Sequence, residues 1–165
     1  MDYSPYLDFV DRWHGLRADE LQGLADRAGV KAVIIPVNAE SSTERFGQYV
    51  LGQLKNGTSA VLLLDLHDTN TRSEPGGHYV ALVPRNNGEQ LEFFDPAGKS
   101  PDTYPMPSWV CDLTDYFEEG VWQPDRTQPP HSTSCGPWCL IRIMLSHLCR
   151  RSFIQNVLAV RRFSD

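Results

Sequence analysis

The sequence predicts an α+β fold, a central mixed or antiparallel sheet packed between helices. Three observations carry the expectation. Apolar residues at helical spacing dominate the first third, a strand rhythm takes over between Thr58 and Phe94, and helical spacing returns at Cys135.

Each element has a local reason. Ser4-Pro5 starts a helix, with Ser as N-cap and Pro in the first helical position, and Tyr6, Phe9, Val10 and Trp13 share one face. A second helix, Arg17 to Ala28, stops at Gly29, which suits a left-handed terminator. Val30 to Val37 is short, apolar and β-branched, hence a strand. Ser41-x-x-Glu44 reads as a capping box that opens a helix through Phe46, Val50 and Leu54, ended by Asn56-Gly57. Thr58 to Leu66 reads as a buried strand. His78 to Pro84 and Glu89 to Phe94 form a hairpin, because the Arg85-Asn86-Asn87-Gly88 joint tolerates positive φ. After a stretch punctuated by Pro96, Pro101, Pro105 and Pro107, a short helix covers Ser108 to Glu119 and an edge strand Gly120 to Gln123. Cys135 then begins an apolar helix to about Leu148, and Phe153 to Val160 forms the last.

The 165 residues, 41 % of them hydrophobic, suit a single domain spanning 1–165, without repeats or a dividing linker. No apolar run is long enough to span a membrane, and Met1-Asp2-Tyr3 lacks the basic and apolar regions of a secretory signal, so an intracellular location is expected. Four cysteines in such a chain read as thiols, not as a disulfide framework. The net charge of −6 and the absence of any Lys/Arg run argue against a nucleic-acid partner. Arg142, Arg150, Arg151, Arg161 and Arg162 read as a solvated helix surface.

Thiol catalysis needs a thiolate, a base, a group that fixes the base's tautomer, and donors for an oxyanion. Ser132-Thr133-Ser134-Cys135-Gly136-Pro137-Trp138 sets a cysteine where an N-capping loop becomes a helix, a position that favours an anion. Gly136 leaves room for a substrate backbone, and Pro137 sits in the first turn, where a missing N–H costs little. His78 opens a strand directly after Gly76-Gly77, and Asp95 follows the partner strand. The two are symmetric about a point between Asn86 and Asn87, so a tight hairpin makes them neighbours. Gln128, seven residues before Cys135 in a loop stiffened by Pro129-Pro130, supplies a second oxyanion donor beside the Cys135 N–H.

The order His78, Asp95, Gln128, Cys135 resembles the adenovirus maturation protease and SUMO-protease family, the adenain/Ulp1 type. The resemblance lies in Gly76-Gly77-His78-Tyr79, in Phe93-Phe94-Asp95-Pro96-Ala97-Gly98-Lys99-Ser100, and in Gln128 through Trp138, and covers roughly residues 58 to 150. The spacings of seventeen residues from His78 to Asp95 and seven from Gln128 to Cys135 suit the compact adenain-type branch. It implies a cysteine endopeptidase that cleaves precursor proteins, viral structural or core proteins among them, as a monomer. Gly76, Gly77, Tyr79 and Gly136 would contact substrate. If the source is viral, the protein would work in the host nucleus or cytoplasm and the virion. Three features depart from the family: Tyr79 replaces the usual tryptophan, Asp95 is the acid of SUMO proteases and not the adenoviral glutamate, and the chain is acidic. Activation by DNA is therefore not carried over. No metal or cofactor is expected, and whether a peptide or protein activates the chain is left open by the sequence.

Cys135 and Cys139 lack a second ligand pair for a metal, so Cys139 reads as core. His131 lacks a fixed carboxylate, and His67-Asp68 reads as polar loop. Gln123 competes with Gln128. A papain-type order fails because the only histidine after Cys135 is His147, twelve residues on. Alternative functions on the same fold are removal of ubiquitin-like modifiers, acetyl transfer, and a catalytically inactive binding module.

Overall fold

The computed structural model describes residues 2–13, 16–64, 78–98, 105–113 and 135–158. Its elements, in chain order, are α1 (Ser4–Arg12), α2 (Ala18–Arg27), β1 (Ala32–Pro36), α3 (Glu44–Lys55), β2 (Ser59–Leu64), β3 (His78–Arg85), β4 (Gln90–Phe94), α4 (Ser108–Asp112), α5 (Cys135–Met144) and α6 (Arg150–Phe153), the last running into a wide turn over Ile154–Leu158. The strands form one mixed sheet in the order β1-β2-β3-β4. β1 and β2 are parallel, with α3 between them in the chain; β2, β3 and β4 are successively antiparallel.

Side chains alternate across a strand, so the two faces of the sheet bury different helices. Val61, Tyr79, Ala81, Val83 and Phe94 pack with α1, α2, α5 and α6. Ala60, Leu62, Leu64, Val80, Leu82, Leu91 and Phe93 pack with α3 and α4. On that second face a Cβ at Gly47 would come within 2.4 Å of Trp109, so only glycine lets α3 lie so close to α4. The expected α+β class with a sheet between helices holds in this layered form.

Several boundaries differ from expectation for identifiable reasons. Ser4 is the first helical residue, and Asp2 takes the capping role by accepting from the Ser4 N–H at 2.9 Å. Ser41 does not cap α3. Its hydroxyl is committed to the turn after β1, donating to Pro36 O and accepting from the Asn38 N–H. Thr43 caps the helix by accepting from the Phe46 N–H at 3.2 Å.

The C-terminal end shows the largest correction. α5 stops at Met144, short of Leu148, because two guanidinium groups capture the carbonyls beyond it. Arg142 donates to Leu145 O and Leu148 O, and Arg85 to Ser146 O and Leu148 O. Arg142, expected on a solvated surface, is fully buried. It grips Glu92 of β4 with two 2.8 Å bonds and lies over the Phe153 ring. Arg85 shares the same carboxylate at 2.8 Å. Burial would push the Glu92 carboxyl up, yet Arg142 and Arg85 hold it below its ordinary value.

Among the described strands β1 lies at the edge of the sheet, and that edge is covered. The Gln22 carboxamide of α2 accepts from the Ile34 N–H at 2.9 Å and donates to Ala32 O at 3.1 Å, occupying the groups a further strand would use. Among the described residues no helix is long and apolar enough to cross a membrane.

Candidate active site

The hairpin brings His78 and Asp95 together, with a register different from the expected one. Asn86, Asn87 and Gly88 all take positive φ, which lengthens the turn. Arg85 pairs with Gln90 and Ala81 with Phe94, so the hairpin centres between Asn87 and Gly88. Continuing that register sets Asp95 across from Val80 and diagonal to His78 on the same face, within reach of a long side chain. His78 Nε2 and Asp95 Oδ1 lie 2.7 Å apart.

Asp95 is held from its own turn as well. Its Oδ1 accepts from the Ala97 N–H at 2.8 Å, and its carbonyl accepts from the Gly98 N–H at 2.8 Å, across a turn with Pro96 in second place and Gly98 at positive φ. Asp at the start, Pro next and Gly last is the composition such a turn requires. Asp95 is therefore both turn residue and partner of His78, and it is fully buried.

Cys135 arrives from the other side as the first residue of α5. Its thiol acts on the His78 imidazole and favours the charged ring, and its Sγ accepts from the main-chain N–H of Tyr79 at 3.4 Å. Burial works against a charged imidazole at His78, but the bond to Asp95 and the bond and charge of Cys135 outweigh it and raise the pKa to about 9. His78 and Cys135 are only 6 % and 4 % exposed, so the pair sits in a desolvated setting that strengthens attraction between opposite charges.

Tyr79 and Gly136, expected at the substrate surface, are both buried, and the structure shows them in packing. The Tyr79 hydroxyl donates to Leu16 O at 2.7 Å, and its ring lies beneath the first turn of α5. A Cβ at Gly136 would meet Leu21 at 3.1 Å and Tyr79 at 3.2 Å. Gly136 thus allows α5 to press down onto α2 and β3. Gly76, Gly77 and Gln128 lie outside the described residues, as do Gln123, His131, His67 and Asp68.

Cys139 lies in the core, its thiol pushed well above its ordinary pKa by burial. His147 and Cys149 are exposed in the joint between α5 and α6. Among the described residues no three His, Cys, Asp or Glu side chains are grouped to hold a metal ion. Sequence reasoning missed two features: the Tyr79 N–H, since a main-chain donor leaves no mark in residue type, and the Arg142–Glu92–Arg85 cluster. Its one signal was Glu92 and Arg142 each standing alone inside an apolar run.

The arrangement joins a carboxylate, an imidazole and a thiol, the thiol carried by the first described turn of α5. It can hold an imidazolium–thiolate pair and attack an electron-poor carbon. No family model, curated protein or solved structure matches the chain.

Proposed function

We propose that this chain is a cysteine endopeptidase of the adenain/Ulp1 type, with Cys135 as nucleophile, His78 as general base and acid, and Asp95 as the group that orients His78. The observation that carries the reading is the 2.7 Å bond between Asp95 and His78 together with the interaction of His78 with the Cys135 thiol of α5. A buried structural thiol would need neither an imidazole nor a carboxylate behind that imidazole.

In the reaction, the thiolate of Cys135 attacks the carbonyl carbon of a peptide bond and the carbonyl oxygen takes up the negative charge. In this proposal the Cys135 N–H is one donor to that oxygen. Gln128 is the second donor in this proposal, on its position in the sequence. His78 then gives its proton to the leaving amine, the C–N bond breaks, and an acyl-thioester remains on Cys135. Water, deprotonated by His78, hydrolyses the thioester and restores the thiol pair. Asp95 fixes the ring and stabilises its charged form, without taking the proton itself.

The substrates proposed are precursor proteins, with the monomer as the working unit inside a cell. Co-expression with candidate precursors tests this directly. Wild type is expected to yield defined fragments that disappear with Cys135→Ala; identical patterns for the two would end the reading.

A further inference from the structure

We infer that the main-chain N–H of Tyr79 is a further catalytic group of this site, donating to the Cys135 sulfur and stabilising the thiolate from which attack begins. The inference rests on the thiol-protease reading.

Its geometry is unusual for a strand residue. Tyr79 stands opposite Leu63 of β2, while pairing between β3 and β4 begins only at Ala81. An extended register would set Pro96 opposite Tyr79, but the Asp95–Gly98 turn carries the chain away at that point. The sulfur occupies the place that a strand carbonyl would have taken, 3.4 Å from the nitrogen. A buried N–H demands an acceptor, and a thiolate is a far stronger one than a thiol.

The donor is also held still. The Tyr79 hydroxyl is anchored on Leu16 O at 2.7 Å, and the ring is wedged beneath Gly136, the residue after the nucleophile. One residue therefore fixes both the helix that bears the sulfur and the dipole aimed at it. The side chain is the positioning part and the N–H the part that touches the reacting atom. His78 and Tyr79 are consecutive, so imidazole and amide are delivered together by a single strand end. Among the described residues, the titratable groups that interact with Cys135 are His78, Cys139 on α5 and the Tyr79 phenol, the last of which also feels Glu20 and Asp19 of α2.

The test replaces the Tyr79 amide by an ester, using the α-hydroxy analogue of tyrosine, which deletes the N–H and keeps the side chain. Alkylation of Cys135 by iodoacetamide, followed on the Cys135 peptide by mass spectrometry, is expected to slow about tenfold near pH 7. At about pH 10, above the ordinary range of a free thiol, the change should stay under about twofold. Equal rates near pH 7 for ester and amide overturn the inference. His78→Ala run in parallel separates the two levels: if it leaves the wild-type rate unchanged, the protease reading itself fails, whatever the ester does. If the ester chain does not fold, the amide resonance of Tyr79 in the intact protein decides. Cys135→Ala should shift that resonance more than the Val80 amide, and an unmoved Tyr79 resonance overturns the inference.

Discussion

His78 carries two opposed influences on one proton. Burial disfavours the imidazolium; Asp95 and Cys135 favour it and prevail, bringing the pKa to about 9. A folded-state pKa above the unfolded one gives stability that is complete below about pH 6.5 and disappears as pH rises through about 9, roughly 3 kcal/mol in all. Thermal melts of wild type should therefore decline across that window, whereas melts of His78→Gln should stay flat in it. Peptidase activity should fall above about pH 9 for the same reason, since the leaving amine then finds no proton on His78. Asp95→Asn keeps the shape and removes the charge that holds the imidazolium. Its kcat is expected to drop roughly 10²–10⁴-fold with little change in KM, measured on a peptide substrate. These three residues were legible because turn chemistry, strand order and a helix start are local signals. The exact register was not, because three successive residues at positive φ lengthen the turn by an amount that composition does not reveal.

At the scale of the element, α5 is a rod fixed at both ends. Its start meets β3 through Cys135, and its end is tied to β4 by Arg142 and Glu92. Breaking a buried ion pair from one side leaves an uncompensated charge, typically at a cost of about 3–5 kcal/mol. Glu92→Gln is expected to lose on that order in urea unfolding, because Arg142 and Arg85 both lean on the one carboxylate. The double change Glu92→Leu with Arg142→Met should recover much of the loss, since it removes charge and partner together. Gly47→Ala tests the other face. A methyl 2.4 Å from Trp109 forces α3 and α4 apart, and about 1–3 kcal/mol of destabilisation is expected from the same measurement. The helix lengths were only partly legible. Nothing near Arg142 in sequence announces a partner fifty residues away, so its apolar surroundings suggested a continuous helix instead of one cut short by its own side chain.

Across the whole molecule, the sheet separates two apolar layers, and the site lies where the sheet's end meets the start of α5. The class was legible from the change of periodicity alone. The parallel pairing of β1 with β2 and the covering of β1 by Gln22 were not, since each depends on how α2 lies against the sheet. Gln22→Ala uncovers the Ile34 N–H and Ala32 O. It should raise the apparent mass in light scattering at high concentration as bare edges find each other, with about 1 kcal/mol lost in stability.

The meeting of β3 with α5 has a consequence for how activity arises in time. A ribosome emits the imidazole and the carboxylate well before the sulfur, and no part of the nascent chain holds all three until the helix bearing Cys135 has docked. Under the proposed chemistry, a half-made copy is harmless to its neighbours. Competence to cut would appear only with completed folding, and mild denaturation would silence it reversibly, without any chemical change to the thiol.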